Sequence, residues 1–181
     1  MSLVHAILGF LNKLPMTGYD LKTESFDQSV AHFWPADQAQ IYRTLDKLTE
    51  QGFVESTIEV QTDRPNRKVY HITEAGRTEL FRWLALPQSE LPIHREPFLV
   101  QLFFADQVDP KTVFKLLEVQ LDAHEKQLAK YREIPLPSVG TPGLSREFVF
   151  ERLTLNMGIH NEQMYIDWLK ESIKIVQQLG E

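Results

Sequence analysis

The stretch Ala36–Gly52, ADQAQIYRTLDKLTEQG, decides how this chain folds. Asp37 is placed to cap a first helical turn and Gly52 to end the last one. Ile41, Leu45 and Leu48 recur at i, i+4 and i+7, which puts three aliphatics on one stripe. At about 100° per residue, Ala39, Arg43, Asp46 and Glu50 point the other way. Tyr42 flanks that outer face on one side, Gln40 and Lys47 on the other. The spacing predicts a short helix held by its inner stripe and presenting amide, phenol, guanidinium and ammonium groups. Such groups hydrogen-bond base edges and phosphates, although a plain solvated face would carry many of them too.

Upstream, Leu3 to Leu14 reads as a helix with Leu3, Ile7, Leu11 and Leu14 on one face, broken by Pro15. Thr17 is a cap for a second helix from about Gly18 to Val30, which buries Leu21, Phe26 and Val30. Phe33-Trp34-Pro35 reads as packing aromatics closed by proline. Downstream, the period changes to two. Val54, Ser56, Ile58 and Val60 alternate with Glu55, Thr57 and Glu59, so Phe53 to Val60 is a strand. Gln61 to Arg67 is rich in turn residues, and Lys68 to Ile72 is the returning strand. The hairpin tip thus holds Arg64, Arg67 and Lys68. Thr73 caps a further helix, Glu74 to Leu84, with Leu80, Phe81 and Leu84 as its buried side. Helix, helix, helix, hairpin, helix is the order of a winged helix-turn-helix.

The 181 residues are 43% hydrophobic and 24% charged, a composition of folded domains. The absence of cysteine excludes disulfides, thiolate metal sites and cysteine nucleophiles, and it fits a reducing, cytoplasmic setting. No stretch reaches the roughly 20 apolar residues of a spanning helix, and no secretory signal is apparent. The net charge of −6 argues mildly against nucleic acid, but binding follows the local field rather than the total.

Several residues carry a resemblance. Gly18-Tyr19-Asp20, Phe33-Trp34, Gln40-Ile41-Tyr42 with Leu45 and Leu48, Gly52-Phe53-Val54, and Tyr70-x-Ile72-Thr73-x-x-Gly76 stand in an order and spacing that resembles the PadR family of transcriptional regulators. The second half resembles that family's virulence-activator-like C-terminal domain. The resemblance implies a homodimeric winged-helix repressor responsive to phenolic acids, with Gln40 and Tyr42 at the DNA face and the hairpin along the backbone or minor groove. The candidate DNA contacts are Tyr19, Gln38, Gln40, Tyr42, Arg43, Lys47, Arg64, Arg67 and Lys68. Asp46 and Glu50 depart from that picture because they would repel phosphate. Modest, strongly salt-dependent affinity per half-site is therefore expected.

The expected domains are 1–86, a winged helix, and 92–181, a helical dimerisation and effector domain, joined by a proline-containing linker. Pro97 opens a short apolar helix with Phe98, Leu99, Leu102, Phe103 and Phe104, a density that implies contact on several sides. Asp109 and Pro110 open a helix to about Glu133. Phe114, Leu121 and Leu128 recur by seven there, as do Leu117, His124 and Tyr131, which makes a coiled-coil-like seam. Ile134 to Leu144 is a loop. The last helix, Ser145 to Leu179, carries Ile159, Ile166 and Ile173 beside Leu155, Leu169 and Val176. Leu153, Met157, Met164, Trp168, Ile175 and Leu179 widen that side beyond what one partner helix covers, so a second copy is expected.

A small aromatic effector is expected between the domains, with Phe98, Leu102, Phe103, Phe148, Arg152 and Trp168 as its candidate lining. No P-loop, dinucleotide fingerprint, His-x-x-x-His pair or nucleophile–base spacing is present, so neither catalysis nor a metal or cofactor is expected. The alternative reading is a dimeric winged-helix scaffold or ligand-binding protein without specific DNA binding.

Overall fold

The computed structural model describes residues 2–31, 33–62, 66–91, 95–138 and 140–179. The protein is mainly helical with one small sheet, and it divides into two compact units, Met1–Leu91 and Pro92–Glu181.

The first unit is a winged helix-turn-helix. Its elements are α1 (Ser2–Lys13), β1 (Met16–Thr17), α2 (Gly18–Asp20), α3 (Gln38–Glu50), β2 (Val54–Glu59), β3 (Arg67–Ile72) and α4 (Glu74–Leu84). Helix α2 does not stop at Asp20. It continues to Val30 wound as a π-helix, with Ala31 N–H donating to the Phe26 carbonyl five residues back. Thr23 and Ser29 donate their hydroxyls to the carbonyls of Tyr19 and Ser25, four residues back, where α winding would seat an amide. The expected Gly18–Val30 helix is therefore present, but its winding is not α beyond Asp20.

Leu21, Phe26, Ile41, Leu45 and Leu48 are fully buried together with Ile7, Leu8 and Leu11 of α1. The three-helix core thus rests on the stripe that organises α3. Strand β3 is central in an antiparallel sheet of order β1-β3-β2, with Thr17 opposite Val69 and Val54 opposite Ile72.

Three expectations about this unit are corrected, and one element is added. Leu14 lies past the end of α1 and is exposed. Ile58 and Val60 are exposed because β2 runs beyond the core that covers Val54. Phe81 and Leu84 face outward, since only Leu80 of that set turns inward on α4. The strand β1 is additional: two residues that end on the helix cap Thr17 carry no period of their own.

The second unit contains α5 (Pro97–Phe103), a 3-10 turn (Ala105–Gln107), α6 (Pro110–Glu133) and α7 (Arg146–Leu179). Asp109 caps α6 through the Thr112 amide at 3.0 Å, with Pro110 in its first turn. Helices α6 and α7 run antiparallel. Arg132 donates to Gln163 Oε1 at 3.2 Å, and Lys170 pairs with Glu125 at 2.8 Å. Leu117, Leu128 and Tyr131 of the α6 seam are buried, as are Leu155, Ile166 and Leu169 of α7. The outer α7 residues Leu153, Met157, Met164, Ile175 and Leu179 are exposed within the chain.

Candidate nucleic-acid interface

Helix α3 is fixed at both ends by its own sequence. Asp37 Oδ1 accepts the Gln40 amide at 2.7 Å, and Gln40 Oε1 accepts the Asp37 amide at 3.2 Å, a reciprocal capping box. At the far end Gly52 takes φ +71°. Gly52 N–H donates to the Thr49 carbonyl and Phe53 N–H to the Leu48 carbonyl, so the helix closes in a Schellman turn. With Ile41, Leu45 and Leu48 buried, the opposite face is committed to solvent or a partner.

That face carries Gln38, Tyr42, Arg43 and Lys47, all exposed. Among the described residues neither Arg43 nor Lys47 forms an ion pair, so both charges are available. Gln40, Arg43, Asp46, Lys47 and Glu50 line an open groove with Trp34 and Pro35 along its side. Gln40 differs from expectation in one respect. Its side-chain oxygen is turned back to the cap, which leaves the NH₂ as its group without a described partner. Bidentate reading of adenine needs both groups.

Tyr42 lies against the start of α2. A Cβ built on Gly18 would stand 2.6 Å from Tyr42 Cε1, so glycine at 18 lets the phenol seat there. The next residue, Tyr19, is exposed. Tyr19 thus follows directly on the residue against which Tyr42 sits.

The wing is β2, β3 and their connection. Arg64 lies outside the described residues. Arg67 and Lys68 are adjacent on β3 and therefore project to opposite faces of the sheet, which separates two cations that sequence grouped together. Lys68 sits over the Tyr70 ring, 5.0 Å from its centroid, with no carboxylate partner among the described residues. Arg67 Nη2 donates to Asp20 Oδ2 at 2.7 Å. Partial burial opposes ionisation of Asp20, but hydrogen bonds from Thr17 and the Arg67 cation outweigh it and hold the carboxyl below the usual range. Sequence reading missed Asp20 and Trp34 as parts of this surface. Asp20 looked like a turn residue, and Trp34 like packing.

The six expected effector residues do not converge within the second unit. Phe98 is buried, with its ring edge-on to Trp168 at 6.4 Å, and Leu102 packs beside them. Phe103 is 80% exposed. Phe148 is exposed near the start of α7, and Arg152 donates to the Leu136 carbonyl at 3.2 Å. At 1.5 Å per residue these two lie roughly 25–30 Å along α7 from Trp168. An unexpected polar cluster stands between the two ends. His124 is hydrogen-bonded to the buried Glu162 and stacked on Tyr165, centroids 4.4 Å apart. Burial, with Glu96 and Glu162 nearby, pushes the Tyr165 hydroxyl above its ordinary pKa.

Comparison with known proteins gives this geometry a family. The sequence profile of the transcriptional regulator PadR-like family matches residues 7–82, and that of the virulence activator alpha C-terminal domain matches residues 94–177. The probable transcriptional regulator Rv1176c of Mycobacterium tuberculosis is 34% identical over 98% of this chain and 99% of its own length. The chain belongs to the PadR-like family of transcriptional regulators. Among solved structures, Bacillus subtilis PadR in complex with operator DNA aligns with a TM-score of 0.85 at 27% identity, covering 97% of this chain and 99% of that one. The same protein in complex with p-coumaric acid aligns at 0.78 and 28% identity, covering 98% and 99%. The Vibrio cholerae virulence activator AphA aligns at 0.77 and 31%, also covering 98% and 99%. Each likeness spans both units, so the PadR-like pairing of a winged helix with a helical C-terminal unit holds along the whole chain. No helix among the described residues is long and apolar enough to cross a membrane.

Proposed function

We propose that this chain is a cytoplasmic homodimeric repressor that binds operator DNA through α3 and the wing and is released by a small aromatic effector. The observation that carries the reading is the face of α3. Arg43 and Lys47 are exposed and unpaired on a helix locked by its cap, its Schellman turn and three buried aliphatics. Tyr19, Gln38, Gln40 and Tyr42 are candidate contacts beside them; Arg67 and Lys68 belong to the wing, and Arg64 lies between its two strands in sequence. The likeness to a relative solved on operator DNA supports the same use here. The exposed α7 row supports a dimer, because a face of five large apolar side chains is stabilised when a second copy covers it. A dimer also supplies two reading helices about 34–36 Å apart for successive half-sites.

The p-coumaric acid complex of Bacillus subtilis PadR supports a phenolic acid or similar aromatic as the class of effector. The Phe98, Leu102, Phe103 and Trp168 end of the second unit and the Phe148–Arg152 end are the two places to test for it. Such a molecule releases DNA only by preferring the arrangement that cannot bind. The test is an anisotropy titration of the full chain on a duplex from upstream of its own gene. Arg43→Ala should weaken that duplex by about 1–3 kcal/mol while a shuffled duplex changes little. Equal weakening on both duplexes would remove Arg43 from base reading.

A further inference from the structure

We propose that Asp20 and Arg67 form a positioning pair that aims the wing, so that Arg67 acts through wing orientation rather than as a phosphate ligand. This rests on the operator-binding reading above. Arg67 occupies the outermost rung of the β2–β3 ladder, opposite Glu59. Its guanidinium turns away from the hairpin and reaches Asp20, 47 residues earlier, at 2.7 Å. The carboxylate is a fixed target. Asp20 Oδ2 also accepts the Thr17 amide at 3.2 Å, while Thr17 Oγ1 accepts the Asp20 amide at 3.1 Å. The short segment Thr17–Asp20 therefore joins three parts. Thr17 pairs with Val69 of β3, Gly18 seats Tyr42 of α3, and Asp20 holds the outer rung of the wing. Beyond Arg67 the described contact across the hairpin is a single hydrogen bond, Gln61 N–H to Asn66 Oδ1 at 3.3 Å. The direction of the wing is thus set at this pair.

Charge points the same way. A guanidinium already facing a carboxylate releases little counterion on approaching a phosphate, whereas the uncompensated Lys68 releases its full share. Of these two neighbouring cations, Lys68 then carries the salt dependence.

The test uses the full chain and the duplex from upstream of its own gene, titrated between 50 and 200 mM salt. Asp20→Asn keeps the cap acceptor and removes the ion pair. Asp20→Asn and Arg67→Ala should each weaken binding by about two- to fivefold, and the double variant should be no weaker than Arg67→Ala alone. Both should leave the log–log salt slope unchanged, while Lys68→Ala should lower it by about 0.9. In the free protein, Asp20→Asn should speed amide hydrogen exchange in the wing several-fold and leave α3 amides as they are, which also reports intact folding. A slope lowered by about 0.9 in Arg67→Ala, tighter binding by Asp20→Asn, or unaltered wing exchange would each overturn the proposal. If the wild type does not distinguish its own duplex from a shuffled one, the operator reading fails, and wing exchange alone decides the positioning role.

Discussion

Glu79 joins two helices through one carboxylate. Its Oε1 is 3.1 Å from His5 Nε2 on α1, and both its oxygens accept the Arg82 guanidinium, at 2.7 and 2.8 Å. His5 in turn stacks on Trp83, centroids 4.4 Å apart. Hydrogen bonds from Arg82 and then from His5 lower the Glu79 pKa from 4.5 to about 2. A carboxyl depressed on folding stabilises the folded state above its unfolded pKa, and the contribution is lost as pH falls towards the folded value. Glu79→Gln should therefore lower the Tm at neutral pH, and the gap from wild type should close between about pH 4.5 and 2 in thermal melts; a constant gap would exclude the linkage. None of this was legible in the sequence. His5 and Glu79 are 74 residues apart, and nothing local marks either as the other's partner. Gly76 is the opposite case. Its place in Thr73-x-x-Gly76 was legible as a pattern, and the structure supplies the cause: a Cβ there would stand 2.1 Å from the Phe53 carbonyl oxygen.

At the scale of elements, α3 was legible because every signal that defines it is local. The stripe has helical spacing, the cap sits three residues from Gln40, and Gly52 provides the positive φ that ends the helix. Removing the cap by Asp37→Ala should cost about 1 kcal/mol, because the Gln40 amide loses its acceptor. That corresponds to a Tm lower by roughly 4–8 °C for a unit of this size, read by circular dichroism; an unchanged Tm would show that the core alone holds the helix. The wing was legible as a hairpin but not in its electrostatics. Sequence adjacency grouped Arg67 and Lys68, and strand alternation sends them apart, one to Asp20 and one over Tyr70. The π winding after Asp20 and the two-residue strand β1 were not legible either. The strand depends on Val69 and Tyr70 more than fifty residues on, and the π winding on which carbonyls the Thr23 and Ser29 hydroxyls take, which the apolar spacing does not record.

At the scale of the molecule, the width of the apolar side of α7 was legible from its sequence, and α6 covers only part of it. Leu155, Ile166 and Leu169 are buried by the antiparallel pair, while Met157 and Met164 are 69% and 53% exposed. The six candidate effector residues divide between the two ends of α7, Phe98, Leu102 and Phe103 with Trp168 at one and Phe148 with Arg152 at the other. If a second copy covers the outer row of α7, the protein should sediment at twice the 21.1 kDa chain mass. Met164→Glu would then place a charge in that contact and shift the species towards the single-chain mass without loss of helical signal. A wild-type monomer would remove the dimer from the account. The most direct test of the central claim is a hydroxyl-radical footprint of the full chain on the duplex from upstream of its own gene. The account predicts two protected patches on one face of the helix, with centres about 10–10.5 base pairs or a whole multiple apart. A single patch, or protection spread evenly along the duplex, would contradict it.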